Sequence, residues 1–256
     1  MMVKIMLGPT ERLFIKQFGL YRSGTNAVKA LLEINFPNIR VLTTYLGNKH
    51  YPTNFQTIKS LSQEKELSDF DITKNEAEMI RVLTESKNLP VIIQIKKPIP
   101  WFDSYFRYQK KKILFTDPEA HLEFNKEWVD RGLELWEKCL ESWINFSNNY
   151  SKCMIIEHVE FLENPDKTIE QITTFFDIQK NKKIELIEFQ MKRGHYKEHG
   201  SNLINPYYKF DPSFHLENKW LDNYTPELLE YAEGKVKQVL DNNRVISSYE
   251  IDFLSN

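Results

Sequence analysis

Between Leu13 and Ile34 the chain passes from an apolar stretch, through a glycine-bearing turn, into a helical pattern. That succession restricts the fold more than any other feature of the sequence. Leu13–Phe18 reads as a strand, Gly19 and Arg22-Ser23-Gly24-Thr25-Asn26 as the turn, and Val28, Leu31 and Leu32 as the inner face of the helix behind it. Backbone N–H groups at the start of a helix have no partner inside it, and the macrodipole adds positive potential there, so the turn is an anion-binding device. Gly19 and Gly24 have the spacing of the two glycines of GxxxxGK[ST], but Thr25 stands where the Lys belongs. The loop is therefore expected to hold a phosphate while lacking the Lys and Ser/Thr that serve a nucleoside triphosphate with Mg²⁺.

The alternation of strand and helix continues. Val41–Tyr45 reads as a second strand, followed by a polar, irregular stretch over 46–72. Thr73 and Glu76 form a capping box ahead of Met79, Ile80 and Leu83. Pro90 introduces Val91-Ile92-Ile93-Gln94-Ile95, an apolar strand of the kind buried on both faces of a parallel sheet. A helix is expected from about Pro100 to Lys112, and a longer one over roughly 123–146, where Val129, Leu133, Trp136, Leu140 and Trp143 make a core-facing stripe. Cys153–Ile156 is a further short strand. Asn164-Pro165 and Thr225-Pro226 are helix starts, the first leading to Ile169, Ile172, Phe175 and Phe176, the second to Leu229, Val236 and Val239. The expected architecture is α/β, a mostly parallel central sheet flanked by helices, in one domain over residues 1–256. Ligands then belong at the carboxyl ends of the strands, where the 19–26 loop and the segment after Ile95 fall.

The bulk numbers exclude several classes. A formal net charge of -2 gives no global reason to expect nucleic acid. Cys139 and Cys153 are too few and too far apart for a disulfide framework, which suits a reducing, cytoplasmic setting. No apolar run approaches a membrane span, and the first residues lack a signal-peptide pattern.

The second informative segment is Ile95-Lys96-Lys97-Pro98 with Ser104 and Arg107 on the helix behind it. Lysines where a buried strand meets a helix start make a second phosphate site. Two such sites suit a donor with two separate phosphate groups. Here the sequence resembles the sulfotransferases that use 3′-phosphoadenosine 5′-phosphosulfate (PAPS). Arg22-Ser23-Gly24-Thr25 is similar to the family's [Lys/Arg]-Ser-Gly-Thr after its first strand. Lys96-Lys97-Pro98 with Ser104 is similar to its Arg-Asp-Pro with a Ser eight positions on. Ile155–Pro165 resembles its Tyr-Glu-Asp-Leu-x-x-x-Pro segment, and Asn218-Lys219-Trp220 its Gly-x-Trp segment. Lys192-Arg193-Gly194 looks like its Arg-Lys-Gly, but lies well before Trp220. Lys96 in place of Arg keeps the charge and loses the bidentate fork.

The resemblance implies a P-loop-like sulfotransferase fold, PAPS as sulfonyl donor, no metal, and in-line transfer to a hydroxyl or amine of a small-molecule or saccharide acceptor. It places Arg22, Ser23, Gly24, Thr25 and Asn26 around the 5′-phosphosulfate, with Arg22 against the bridging oxygen, and Lys96, Ser104 and Arg193 at the 3′-phosphate. Family members with a catalytic His carry it in a Lys-x-His setting after a strand, and others use a Glu. Lys49-His50 makes His50 the candidate base here. Read from the residues alone, two alternatives stay open: another P-loop-type transferase such as a small-molecule kinase, and a non-catalytic nucleotide-binding relative. Trp101 fits either adenine stacking or core packing, His195 and His199 are spaced to share a helical face, and Tyr207, Tyr208 and Phe210 fall in a polar loop suited to acceptor contacts.

Overall fold

A computed structural model describes residues 12–63, 72–178, 212–249 and 253. Among them, β1 (Leu13–Gly19), β2 (Ile39–Leu42), β3 (Val91–Ile95) and β4 (Cys153–Glu157) form an all-parallel sheet in the order β2-β1-β3-β4. Parallel neighbours need crossovers. α1 (Thr25–Asn35) links β1 to β2, α2 (Phe55–Ser62) and α3 (Lys74–Glu85) lie between β2 and β3, and α4 (Pro98–Thr116) and α5 (Lys126–Asn148) between β3 and β4. After β4 come α6 (His158–Glu163), α7 (Pro165–Phe175), α8 (Ser213–Leu216), a 3₁₀ turn (Lys219–Asn223), α9 (Pro226–Asn242) and α10 (Arg244–Ser247). From β1 the chain goes to one side to make β2, then returns to the other side for β3. The carboxyl ends of β1 and β3 therefore flank a topological switch point, where open α/β sheets place their ligands.

Because strand side chains alternate, the sheet feeds two cores. Phe14, Phe18, Val91, Ile93 and Ile95 pack with Trp136, Leu140, Trp143 and Val236 on one face. Ile15, Ile92 and Ile156 pack with Val28, Leu31, Ile169 and Ile172 on the other. The expected stripe of α5 is wholly buried. The capping box forms as read, with Thr73 Oγ1 accepting from Glu76 N and Thr73 N donating to the Glu76 carboxylate.

Several expectations are corrected. β2 ends at Leu42, because the chain then turns through Leu46 and Gly47, both with positive φ. The stretch over 46–72 is not wholly irregular: Asn54 Oδ1 accepts from Thr57 N at 2.9 Å and opens α2. α4 begins at Pro98, earlier than the Pro100 start expected, since a proline in the first turn has no N–H to lose. Asn164 makes no side-chain cap, and Phe175 is 44% exposed, with Phe176 taking the inner place. In α9 Leu228 is buried and Leu229 only partly so. Among the described residues no helix is long and apolar enough to cross a membrane.

Candidate functional site

The turn after β1 is shaped by contact. A Cβ on Gly19 would stand 2.6 Å from Thr25 Cγ2 and 2.7 Å from the Gln94 carbonyl oxygen, so only glycine lets the loop press on β3. Arg22 and Gly24 take left-handed conformations, with φ of 62° and 80°. Ser23 Oγ donates to Leu20 O at 2.8 Å, and Gln17 Nε2, from within β1, donates to Thr25 O at 2.9 Å. Gly24 is the N-cap of α1, with no side-chain cap and no acidic residue in the first turn. Ala27 N and Val28 N donate to Gly24 O, so the N–H groups of Thr25 and Asn26 are the ones placed to meet an external anion.

Beside this loop lies the segment after β2. Gly19 N donates to Lys49 O at 2.8 Å, and Gly19 O lies 2.7 Å from His50 Nδ1. A carbonyl only accepts, so Nδ1 carries the ring proton and Nε2 keeps its lone pair. Burial and the neighbouring Lys49 push His50 down to about 4, which keeps the ring neutral at pH 7. The Tyr21 ring stacks on it with centroids 4.0 Å apart. Lys49 is itself buried, and its Nζ donates to Asn26 Oδ1 in the first turn of α1 at 2.5 Å. Burial, then Lys29, lowers the Lys49 ammonium to about 8. The whole segment is anchored from below: Lys16 Nζ, fully buried, donates to Tyr45 O at 2.8 Å and Gly47 O at 2.6 Å.

Across the switch point, β3 is followed by Lys96, only 3% exposed, whose Nζ donates to Ser104 Oγ on α4 at 2.8 Å. Its backbone is tied to the core by Trp136 Nε1, which donates to Lys96 O at 3.0 Å. His215 Nε2 of α8 lies 3.3 Å from Lys96 Nζ, and the ring of His158, the first residue of α6, packs against His215. Burial is the main cause holding Lys96 well below the usual ammonium range. Asp103 takes two hydrogen bonds from Arg107 Nε, at 3.1 and 3.0 Å. Gln94 is fully buried in β3, and among the described residues neither of its amide atoms finds a hydrogen-bond partner. The Gly24 backbone passes close to it: a Cβ there would stand 3.2 Å from Gln94 Nε2. Buried cations with few acids, uncapped N–H groups and an unsatisfied amide are the donor set of an anion site.

The structure thus brings Arg22, Ser23, Gly24, Thr25, Asn26 and His50 to one side of the switch point, and Lys96 and Ser104 to the other. Arg193, and with it Lys192, Gly194, His195, His199, Tyr207, Tyr208 and Phe210, lies outside the described residues. Trp101 packs in the core: it is fully buried and its Nε1 donates to Tyr21 O at 2.6 Å. Lys16, Gln94, His158 and His215 were not singled out from sequence. The polar residues inside otherwise apolar strands, Lys16-Gln17 in β1 and Gln94 in β3, were the available signal.

No protein-family model matches the sequence, and no curated protein matches it. Among solved structures, mouse sulfotransferase SULT7A1 complexed with PAP superposes with a TM-score of 0.54 at 16% identity, over 94% of this chain and 87% of that one. The sulfotransferase domain from the curacin biosynthetic pathway superposes with a TM-score of 0.41 at 12% identity, over 94% of this chain and 98% of that one. The four-stranded parallel sheet with its flanking helices is, on the likeness to the mouse enzyme, the sulfotransferase fold.

Proposed function

We propose that this chain is a sulfotransferase of one domain that transfers a sulfonyl group from PAPS to a hydroxyl or amine of a small-molecule or saccharide acceptor, in the cytoplasm and without a metal. The observation that carries the reading is the pair of basic anion sites on either side of the switch point: the uncapped start of α1 with Arg22, and the buried Lys96–Ser104 pair at the end of β3. A nucleotide with phosphate groups at two separate positions matches two such sites; a chain of phosphates needs one. The mouse structure bearing the fold was solved with PAP.

In this reading Ser23, Gly24, Thr25 and Asn26 hold the 5′ group through N–H and hydroxyl donors, with Arg22 neutralising the leaving phosphate. Lys96, Ser104 and Arg193 hold the 3′-phosphate. The donor supplies the sulfonyl group; the protein's part is positioning and charge. Lys49, tied to Asn26, sets a second cation at the mouth of the loop. His50 is the base: its Nδ1–H is fixed on Gly19 O, so Nε2 accepts the acceptor's proton.

Calorimetric titration with adenosine 3′,5′-bisphosphate, against ATP-Mg²⁺, tests this on wild type, Arg22→Ala and Lys96→Ala. Bisphosphate binding that exceeds ATP binding and weakens in both variants is the expected outcome. Absence of bisphosphate binding by the wild type would sink the reading.

A further inference from the structure

We infer that His158 and His215 are phosphate-binding side chains of the donor site, acting with Lys96 and Ser104 on the phosphate away from the 19–26 loop, and that they take a proton from solvent when that phosphate binds. The inference rests on the reading above and adds two residues and a proton to it.

The placement comes first. His158 follows β4 directly, so it sits at the same edge of the sheet as Lys96, which follows the neighbouring β3. It is 6% exposed. Its ring lies 4.9 Å from that of His215 at 86°, and His215 Nε2 lies 3.3 Å from Lys96 Nζ. On its other side His158 meets the phosphate loop: a Cβ on Gly24 would stand 3.2 Å from His158 Cδ2 and 3.6 Å from its Nε2. His158 thus packs between the Gly24 backbone and His215, and His215 makes the contact with Lys96.

The charges come next. Among the described residues the charged groups that face the pair are Arg22 from the turn after β1, Lys96 from just after β3, and Arg107 from α4. Asp103 is the carboxylate that acts on Lys96, and Arg107 already holds both its oxygens. Two imidazoles crowded into cations stabilise nothing by themselves, since their charged forms repel and their burial costs. Both rings are accordingly held well below the usual histidine range, by burial first and Lys96 next. Among the described residues His215 Nδ1 is buried without a hydrogen-bond partner, and so are both amide atoms of Gln94. A phosphate dianion reverses the field at the pair and supplies acceptor oxygens to His215 Nδ1–H and the Gln94 Nε2 amide. The pair then takes up one proton, and a His215 Nε2 that carries it turns from Lys96 to a phosphate oxygen.

The sign of the proton exchange makes this testable. A phosphate monoester has a second pKa of about 6, so binding to cations can only strip protons from it. The histidines can only gain them, as can Lys96, so the histidine variants assign the uptake to the pair. Calorimetry of the full chain at pH 7 in buffers of different ionisation enthalpy measures the net count for adenosine 3′,5′-bisphosphate and for 5′-AMP. The difference isolates the second phosphate from Lys49 and His50, which face the first. Uptake greater by about one proton for the bisphosphate is expected, with affinity rising up to about tenfold per pH unit on acidification. His158→Gln and His215→Gln should each weaken bisphosphate binding about tenfold or more, abolish the extra uptake and spare 5′-AMP. Equal or smaller uptake than for 5′-AMP overturns the inference on the wild type alone, whether or not the variants fold. Variants that bind the bisphosphate as the wild type does overturn it too. Both of those outcomes leave the sulfotransferase reading standing, whereas a wild type that binds no bisphosphate removes both.

Discussion

Replacing Lys16 by Met asks what holds the Lys49–His50 segment in place. Lys16 lies in mid-strand on the same face of β1 as Phe14 and Phe18, fully buried, with its Nζ 2.8 Å from Tyr45 O and 2.6 Å from Gly47 O. Leu46 and Gly47 have φ of 64° and 97°, and the carbonyls of this turn converge on the ammonium. Met keeps the length and bulk of the side chain and removes every donor. Each carbonyl stranded without a donor costs about 1–3 kcal/mol. Sparing the ammonium its desolvation gives part of that back. For two short bonds the net loss should be about 2–4 kcal/mol. Urea unfolding followed by tryptophan fluorescence should show a midpoint about 1 M or more lower at unchanged slope. A loss below about 0.5 kcal/mol would show that the turn satisfies its carbonyls without Lys16, and would refute the anchoring argument.

Other expectations follow from the same geometry. With His50 lowered to about 4 and Lys49 to about 8, kcat/KM should rise as pH passes 4, stay level, and fall above 8. His50→Gln should remove the lower limb and cut kcat by about 10²–10⁴ while leaving bisphosphate affinity unchanged; retained turnover would assign the base elsewhere. For stability the sign is fixed by the depressed His50 value. Below about 6.5 the unfolded chain binds the proton first, so the contribution of this ring is complete above that pH and lost towards 4, which His50→Gln should flatten in acid unfolding curves. Gly19→Ala places a methyl against Thr25 and the Gln94 backbone, and should cost about 1–3 kcal/mol, read as a fall of about 2–12 °C in Tm. A silent substitution would mean that β1 and β3 are not pressed together by this turn.

Much of the sheet was legible because its strands are apolar runs bounded by turn signals, and the turn after β1 was legible because glycines punctuate it ahead of a helical pattern. β2 was misplaced since Thr43, Thr44 and Tyr45 have strand propensity, and what overrides it is distant: the ammonium of Lys16. α2 was missed because its start depends on one Asn and its apolar face is short, with Ile58 and Ser62 its buried residues. Lys96 and Ser104 were paired only through the resemblance to a motif with a Ser eight positions after its basic residue. His158 and His215 were not, because 57 residues of sequence separate them and only the meeting of α6 with α8 puts their rings together. Sequence spacing reveals partners within an element; partners across the sheet edge are set by topology.

The backbone at Arg22 sets two demands against each other. A residue with a Cβ at φ 62° carries a strain of about 1–2 kcal/mol that Gly, and to a lesser degree Asn, would relieve. Neither can offer a guanidinium to an anion. Substitution at this position therefore exchanges thermal robustness for ligand charge in a single step, without disturbing the sheet. If the proposed function is right, descendants of this chain freed from it would be expected to drift to Gly or Asn here first, since the strained Arg then has only its charge to keep it.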